Sequence, residues 1–140
     1  MLKAVLDTNV VLSAHLNLEG PSKVILDLVF ARFFRCFVSN PLLEEYEEVL
    51  KRPRFGRDAR EIARSLRLMR NAAIFVVPRK KLEITRDPDD NKVLECALEA
   101  RVDYVVTGNI RDFPERFQDI RIIPPRRFMT LLASGPTAPD

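Results

Sequence analysis

Lys3-Ala4-Val5-Leu6-Asp7-Thr8-Asn9 is the stretch of sequence that decides the fold. Its residues 4–6 form a short apolar run, which is typical of a strand buried on both faces of a parallel sheet. Three small polar residues follow at once, where such a strand leaves the sheet. Because ligands bind at the carboxyl ends of strands in open α/β sheets, the pattern predicts a functional site at Asp7. The alternative is that Asp7 only caps the following helix.

Segments of strand and helix character alternate along the rest of the chain. Further strands are predicted at residues 34–38, 74–77, 104–107 and 121–123, with helices between them. The alternation predicts a three-layer α/β fold, in which a central, mostly parallel sheet of four to five strands carries helices on both faces. We expect one domain over residues 1–133 and a disordered tail over residues 134–140.

The composition excludes several classes of protein. The chain of 140 residues is 46% hydrophobic and carries a net charge of +3. It has no apolar run of membrane-spanning length, and we expect neither a signal peptide nor a membrane partner. Cys36 and Cys96 stand alone in apolar segments, which is typical of buried thiols in a reducing compartment. The sequence therefore predicts a cytoplasmic protein.

A second acidic position is predicted on the helix over residues 41–51, which carries four glutamates. At about 100° per residue, Glu44 and Glu48 point away from the apolar stripe of this helix. Glu45 lies at the border of the stripe, near the preceding strand end. We therefore predict that Glu45 leans toward Asp7, with Glu44 as the alternative.

The stretch Asp87-Pro88-Asp89-Asp90-Asn91 supplies a third acidic position. Asp87 as N-cap and Pro88 at the first helical position predict a well-formed helix start. This structural interpretation explains Asp87 but not Asp90, which falls near the centre of the stripe that faces the protein interior. A carboxylate directed inward at a helix start is a candidate site residue.

Polar residues also follow the strand predicted at 104–107. Asn109 stands just after its end, and a short helical turn over residues 109–113 would bring Asp112 to the same place. The alternative is that Asp112 only caps this turn ahead of Pro114. Acidic positions thus converge on one sheet edge, and their oxygen ligands match Mg²⁺ or Mn²⁺ rather than zinc. We do not expect the single histidine, His15, to be a ligand.

Four motifs occur in the order and spacing of PIN-domain nucleases: Leu6-Asp7-Thr8-Asn9-Val10, Leu43-Glu44-Glu45, Asp87-Pro88-Asp89-Asp90-Asn91 and Val106-Thr107-Gly108-Asn109. The chain resembles this family from residue 2 to residue 132. Segments 50–55 and 123–128 resemble its prokaryotic branch, which includes VapC-type toxins. The resemblance implies a metal-dependent endoribonuclease that acts on RNA, forms a homodimer or higher homo-oligomer and is silenced by a small cognate antitoxin protein.

The resemblance also assigns roles to individual positions. Asn109 departs from the family, whose fourth aspartate usually stands there, and we predict that Asp112 supplies the missing charge. The predicted catalytic residues are Asp7, Glu45, Asp90 and Asp112, the predicted ligands of Mg²⁺ or Mn²⁺ are Asp7, Asp90 and Asp112, and the predicted supporting residues are Thr8, Asn9, Thr107 and Asn109.

Arginines crowd the middle of the chain. Arg52 and Arg54 lie in a predicted loop after the Glu45 helix, where we expect them to bind RNA phosphates. For the arginines after Arg57, up to Arg70, binding of a polyanion such as RNA and an ordinary solvated helix face are equally good interpretations.

Two other functions stay open. One is a PIN-like scaffold that binds RNA or a protein partner but cleaves poorly, which the aspartate missing at Asn109 would favour. The other is a phosphoryl-transfer domain with Asp7 as nucleophile, although a second aspartate two residues on is missing.

Overall fold

The computed structural model describes residues 1–134, so the tail predicted over residues 134–140 lies outside the described residues except for Ser134. The strands are β1 (Lys3–Leu6), β2 (Arg35–Val38), β3 (Ile74–Phe75), β4 (Tyr104–Val106), β5 (Arg116–Phe117) and β6 (Ile120–Ile123). The helices are α1 (Thr8–Leu16), α2 (Pro21–Phe30), α3 (Asn40–Leu50), α4 (Ala59–Ala72), α5 (Pro88–Ala100) and α6 (Pro125–Ala133). Short 3₁₀ turns lie at Pro53–Phe55 and Ile110–Asp112.

The strands form one sheet in the order β3-β2-β1-β4-β6-β5. All neighbours are parallel except β5, which is antiparallel to β6. The predicted α/β class and mostly parallel sheet are confirmed. The described sheet has six strands rather than four to five, because a hairpin through Gln118 adds the two-residue strand β5. A strand of two residues has no hydrophobic period that sequence reasoning can detect.

The centre of the sheet is β1, whose three apolar residues Ala4, Val5 and Leu6 have no exposed surface. Because alternate side chains of a strand point to opposite faces, this burial requires cover on both faces of the sheet. The cover comes from helices, and both cysteines are buried within the resulting core. In the range 1–134, no helix combines the length and the apolar character that a membrane crossing needs.

Helices α1 and α3 begin directly at the carboxyl ends of β1 and β2, and α5 begins after the longer connection that follows β3. Asp7 ends β1 and caps α1, and Ser39 ends β2 and caps α3 by accepting from the backbone N–H of Leu42. Asp87 caps α5 by accepting from the backbone N–H of Asp89, with Pro88 as the first helical residue, so this predicted helix start is confirmed. Side chains in these first turns therefore gather at one edge of the sheet.

Tyr46 joins α3 to the end of the central strand. Its side chain is buried, and its hydroxyl donates a hydrogen bond to the carbonyl oxygen of Leu6. That carbonyl directly precedes Asp7 in the chain. The contact supplies the buried carbonyl with a partner and fixes α3 against the strand end that carries Asp7.

Replacement of Tyr46 with phenylalanine tests this contact. Tyr46→Phe keeps the ring but leaves a buried carbonyl without a partner, at a cost of about 1–3 kcal/mol in the free energy of unfolding. We expect a melting temperature several degrees lower in a thermal unfolding experiment. The matched control is Tyr104→Phe, because among residues 1–134 the hydroxyl of Tyr104 has no hydrogen-bond partner. Equal stability of the two variants would contradict the assignment.

Candidate acidic active site

The carboxylate of Asp7 is the most enclosed acid at the carboxyl edge of the sheet, with 5% of the residue exposed. Its Oδ1 accepts from the backbone N–H of Thr8 at 2.8 Å. Its Oδ2 accepts from the hydroxyl of Thr107 at 2.7 Å and from the side-chain amide of Asn9 at 3.0 Å. Three donors thus hold the carboxylate in one orientation.

The same network ties the end of β1 to the end of β4. The Oδ1 of Asn9 accepts from the backbone N–H of Gly108 at 3.0 Å, and the hydroxyl oxygen of Thr107 accepts from the backbone N–H of Asn109 at 3.0 Å. The structure therefore brings the predicted supporting residues Thr8, Asn9 and Thr107 into contact with Asp7. Asn109 reaches the network through its backbone, while the residue itself is exposed.

Burial and like charge raise the pKa values of Asp7 and Asp90. Burial is the largest cause of the raised pKa of Asp7, and the negative charges of Asp112 and Asp87 raise it further. The hydrogen bonds from Thr107 and Thr8 lower this pKa but do not cancel the shift. The pKa of Asp90 is raised from 3.8 to about 7 by burial and then by the charges of Asp7, Asp87 and Asp112. Among residues 1–134, the charged groups that shift these two pKa values most are all acidic, so a bound cation would lower both pKa values.

Sequence reasoning predicted a role in the site for Asp112 but not for Asp87. Asp112 is exposed in the turn Ile110–Asp112, and its charge acts on both Asp7 and Asp90, so the predicted turn does bring it to the site. Asp87 was expected only as a helix cap, yet its charge acts on the same two acids. The three aspartates within four residues at 87–90 were the signal that could have found it.

Glu45 lies beside a basic residue of α5. Its Oε1 is 3.9 Å from the ammonium nitrogen of Lys92, which is itself 3.0 Å from Oδ1 of Asp89. Burial raises the pKa of Glu45, followed by the charge of Asp89, and neither Asp7 nor Asp90 is among the main causes. The structure thus places Glu45 beside Lys92 and leaves Glu44 exposed, and the catalytic role of Glu45 stays a prediction.

The predicted RNA-binding arginines already have partners within the chain. Arg52 donates from two nitrogens to the carboxylate of Glu48, at 2.8 and 3.1 Å. The guanidinium carbon of Arg54 lies 5.0 Å from the ring centroid of Phe55. Both pairs are at the surface, so their RNA contacts stay a prediction. His15 lies elsewhere, with its ring nitrogens 2.9 Å from the carbonyl of Val11 and 2.7 Å from the hydroxyl of Ser65.

The donor set can be compared with the needs of a metal ion. The carboxylate oxygens of Asp7, Asp87, Asp90 and Asp112 suit a hard cation such as Mg²⁺ or Mn²⁺. Over residues 1–134, however, no three Asp, Glu, His or Cys side chains are arranged to hold one ion together. Mg²⁺ commonly keeps several waters and takes only one or two carboxylates. The residues present fit a hydrated ion of this kind, and not a preformed three-carboxylate cage.

The raised pKa of Asp90 predicts a pH dependence of stability without metal. Its pKa is about 7 in the folded protein and near 3.8 in the unfolded chain, so between these values the folded state binds more protons. The free energy of unfolding should therefore fall as the pH rises through this window. Chemical unfolding in EDTA at several pH values measures it. Asp90→Asn should reduce the slope, whereas Asp89→Asn, one residue away and paired with Lys92, should keep it. Equal slopes in both variants would show that Asp90 is not the cause.

Comparison with known proteins agrees with this geometry. Residues 3–111 match the family described as PIN domain, which is well over half of the chain. The chain is also 29% identical over 111 residues to an uncharacterized protein of Methanocaldococcus jannaschii, with 77% of this chain and 71% of that protein aligned. PIN domains are generally nucleases and typically use divalent metal ions. The extent of the family match, on a mostly parallel α/β sheet with acids at its carboxyl edge, shows that the chain belongs to the PIN domain family.

Proposed function

We propose that this protein is an endoribonuclease that uses Mg²⁺ or Mn²⁺ to hydrolyse phosphodiester bonds in single-stranded RNA. The observation that carries the proposal is the set of aspartates from three chain segments whose charges raise the pKa values of Asp7 and Asp90, with no basic group among the main contributors. Such a site attracts a divalent cation strongly. The membership in a family of nucleases supplies the reaction type.

The side chains have distinct parts in this proposal. Asp7 is fixed by three donors, and its Oδ1 has a single one, which leaves that oxygen able to accept a further contact. Asp90, with a pKa of about 7, changes its protonation close to neutral pH. Asp112 is exposed, and its charge acts on both Asp7 and Asp90. A bound divalent cation would supply positive charge for a phosphate group and would lower the pKa of a water nucleophile.

We extend the proposal to the cellular role. The likeness of segments 50–55 and 123–128 to VapC-type toxins supports a toxin of a toxin–antitoxin module, acting in the cytoplasm as a homodimer or higher homo-oligomer. A small cognate antitoxin protein would then be its partner. A reading frame for such a protein next to the gene would support this role.

A second candidate is a PIN scaffold that binds RNA or a protein partner but cleaves poorly. Two observations favour it: Asn109 stands where the family usually has an aspartate, and no three potential ligands in residues 1–134 hold an ion together. Cleavage of single-stranded RNA that requires Mn²⁺ and stops with EDTA distinguishes the enzyme from the scaffold.

Asp7→Asn is expected to abolish RNA cleavage, because it removes the charge at the centre of the site. The melting temperature should stay equal or rise, since loss of a buried charge offsets the loss of one acceptor oxygen for the donors around it. Cleavage of labelled RNA with Mn²⁺ and thermal unfolding measure the two effects. The control is Asp119→Asn, which replaces an exposed aspartate before β6 at the opposite edge of the sheet. This variant should cleave RNA normally. Full cleavage by Asp7→Asn would rule out this site.

Asp112→Ala tests whether Asp112 supplies the charge that Asn109 lacks. We expect the variant to need about tenfold more Mn²⁺ for half-maximal cleavage, the effect of one lost contact of about 1.4 kcal/mol. Adding Asn109→Asp to this variant should lower the requirement again, because it restores a carboxylate nearby. If Asp112→Ala responds to Mn²⁺ as the parent does, Asp112 is a structural residue of its turn.

A further inference from the structure

A groove lies beside the acidic site, at the carboxyl ends of β2 and β3. Its walls are the first turns of α3 and α5 and the segment of residues 76–86. We call this segment the strap, and it has no regular secondary structure. The cavity has a volume of about 770 Å³. The strap continues β3, since the backbone N–H of Val76 donates to the carbonyl of Val38 at 3.0 Å.

The strap is fixed along α5 by three evenly spaced hydrogen bonds. The backbone N–H groups of residues 79, 82 and 85 donate to side-chain oxygens of Glu99, Glu95 and Asn91, at 3.2, 2.9 and 2.8 Å. These acceptors are four residues apart on the helix, and therefore form one stripe on its surface. The groove thus has a definite shape although the strap is neither helix nor strand.

The charged side chains that line the groove are mainly basic. Five of them are Lys or Arg and two are Glu. One of the two glutamates, Glu95, is engaged with the strap backbone. Among residues 1–134, no acidic group lies within ion-pair distance of Lys80, Lys81 or Arg86, and all three are exposed. The strap therefore holds three cations without an acidic partner in the described part of the chain, along one side of a fixed groove.

Lys92 marks the place where the groove meets the acids. It lines the groove, and its ammonium group lies near both Glu45 and Asp89. The strand β2 at the groove is the direct neighbour of β1, which carries Asp7 at its end. Neighbouring strands are about 4.8 Å apart, so a chain lying in the groove needs to cross only one strand to reach Asp7.

We propose that this groove binds the sugar–phosphate backbone of single-stranded RNA and leads the strand to the carboxylates at the end of β1. The inference rests on the proposed function, since it names the path of that substrate. Lysine and arginine side chains in a groove that tracks a backbone are the usual means of holding single-stranded nucleic acid. An acidic peptide could match the same cations, but only a phosphodiester chain is also the substrate of the carboxylate site to which the groove leads.

The lining also bears on sequence preference. The uncharged part of the groove wall includes Val77 and Leu82, and among the lining residues none is aromatic. Base stacking on aromatic rings is therefore absent from this surface, and phosphate contacts dominate. The groove should bind RNA with little regard to base sequence.

The test measures binding of a labelled single-stranded RNA to the full chain in EDTA, over a series of salt concentrations. The groove variant is Lys80→Ala/Lys81→Ala/Arg86→Ala. The control, Arg60→Ala/Arg64→Ala/Arg67→Ala, removes the same charge from exposed positions on α4 that do not line the groove. We expect the groove variant to bind at least about tenfold more weakly and its salt slope to fall by about 2, at about 0.7 per lost phosphate contact. The control should retain most of the parental affinity and slope.

Different measurements test the groove inference and the proposed enzymatic function. The groove inference is wrong if the two variants bind alike, or if the parent protein does not bind RNA in EDTA. The proposed function is judged instead by Mn²⁺-dependent RNA cleavage by the parent protein. Cleavage with equal binding by the two variants would overturn only the groove. Groove-dependent binding without cleavage would overturn only the enzyme and would favour the scaffold.

Discussion

A carboxylate buried at the end of the central strand is the constraint on which the rest of this structure depends. An ionised acid without partners in such a place would be very unfavourable, so donors must surround Asp7. One comes from the backbone that starts α1, and Thr107 at the end of β4 supplies another. The second is available only because β4 lies parallel to β1 in a register that pairs Leu6 with Val106. The order of the strands thus determines the site, and α3 reinforces it through the contact of Tyr46 with the last carbonyl of β1.

Repulsion between the aspartates lowers the stability of the fold, whereas the hydrogen bonds around Asp7 raise it. Burial and neighbouring charge keep a proton on Asp90 up to about pH 7, so the folded protein carries fewer charges at this edge than four free aspartates would. A protein selected only for stability would replace some of these acids with neutral residues. Their presence together is therefore better explained by a ligand of positive charge than by structural needs, with Asp87 as the exception because it also caps α5.

Local sequence patterns were sufficient for the features that depend on neighbouring residues. The buried run of β1, the Asp87-Pro88 start of α5 and the burial of both cysteines follow from short-range rules and are found in the structure. The neighbours of Glu45 were harder to predict, because a helical wheel gives the rotation of a side chain but not the tilt of α3 against the sheet. Lys92, which faces Glu45, lies on another helix and could not be assigned to it from sequence. The path of the strap could not be predicted either, since an irregular segment has no hydrophobic period from which its structure could be derived.

The helix α5 connects the two parts of the molecule that the proposals use. Successive residues on a helix differ by about 100°, so Asn91, Glu95 and Glu99 share a stripe that differs in direction from Asp90. Asp90 instead shares the face of Val93, Leu94 and Ala97, which are buried in the core. Because the helix is rigid over this length, packing of the core face fixes both the acid and the acceptors that hold the strap. The basic groove and the acidic edge are therefore not independent surfaces, since the packing of this one helix against the core positions residues of both.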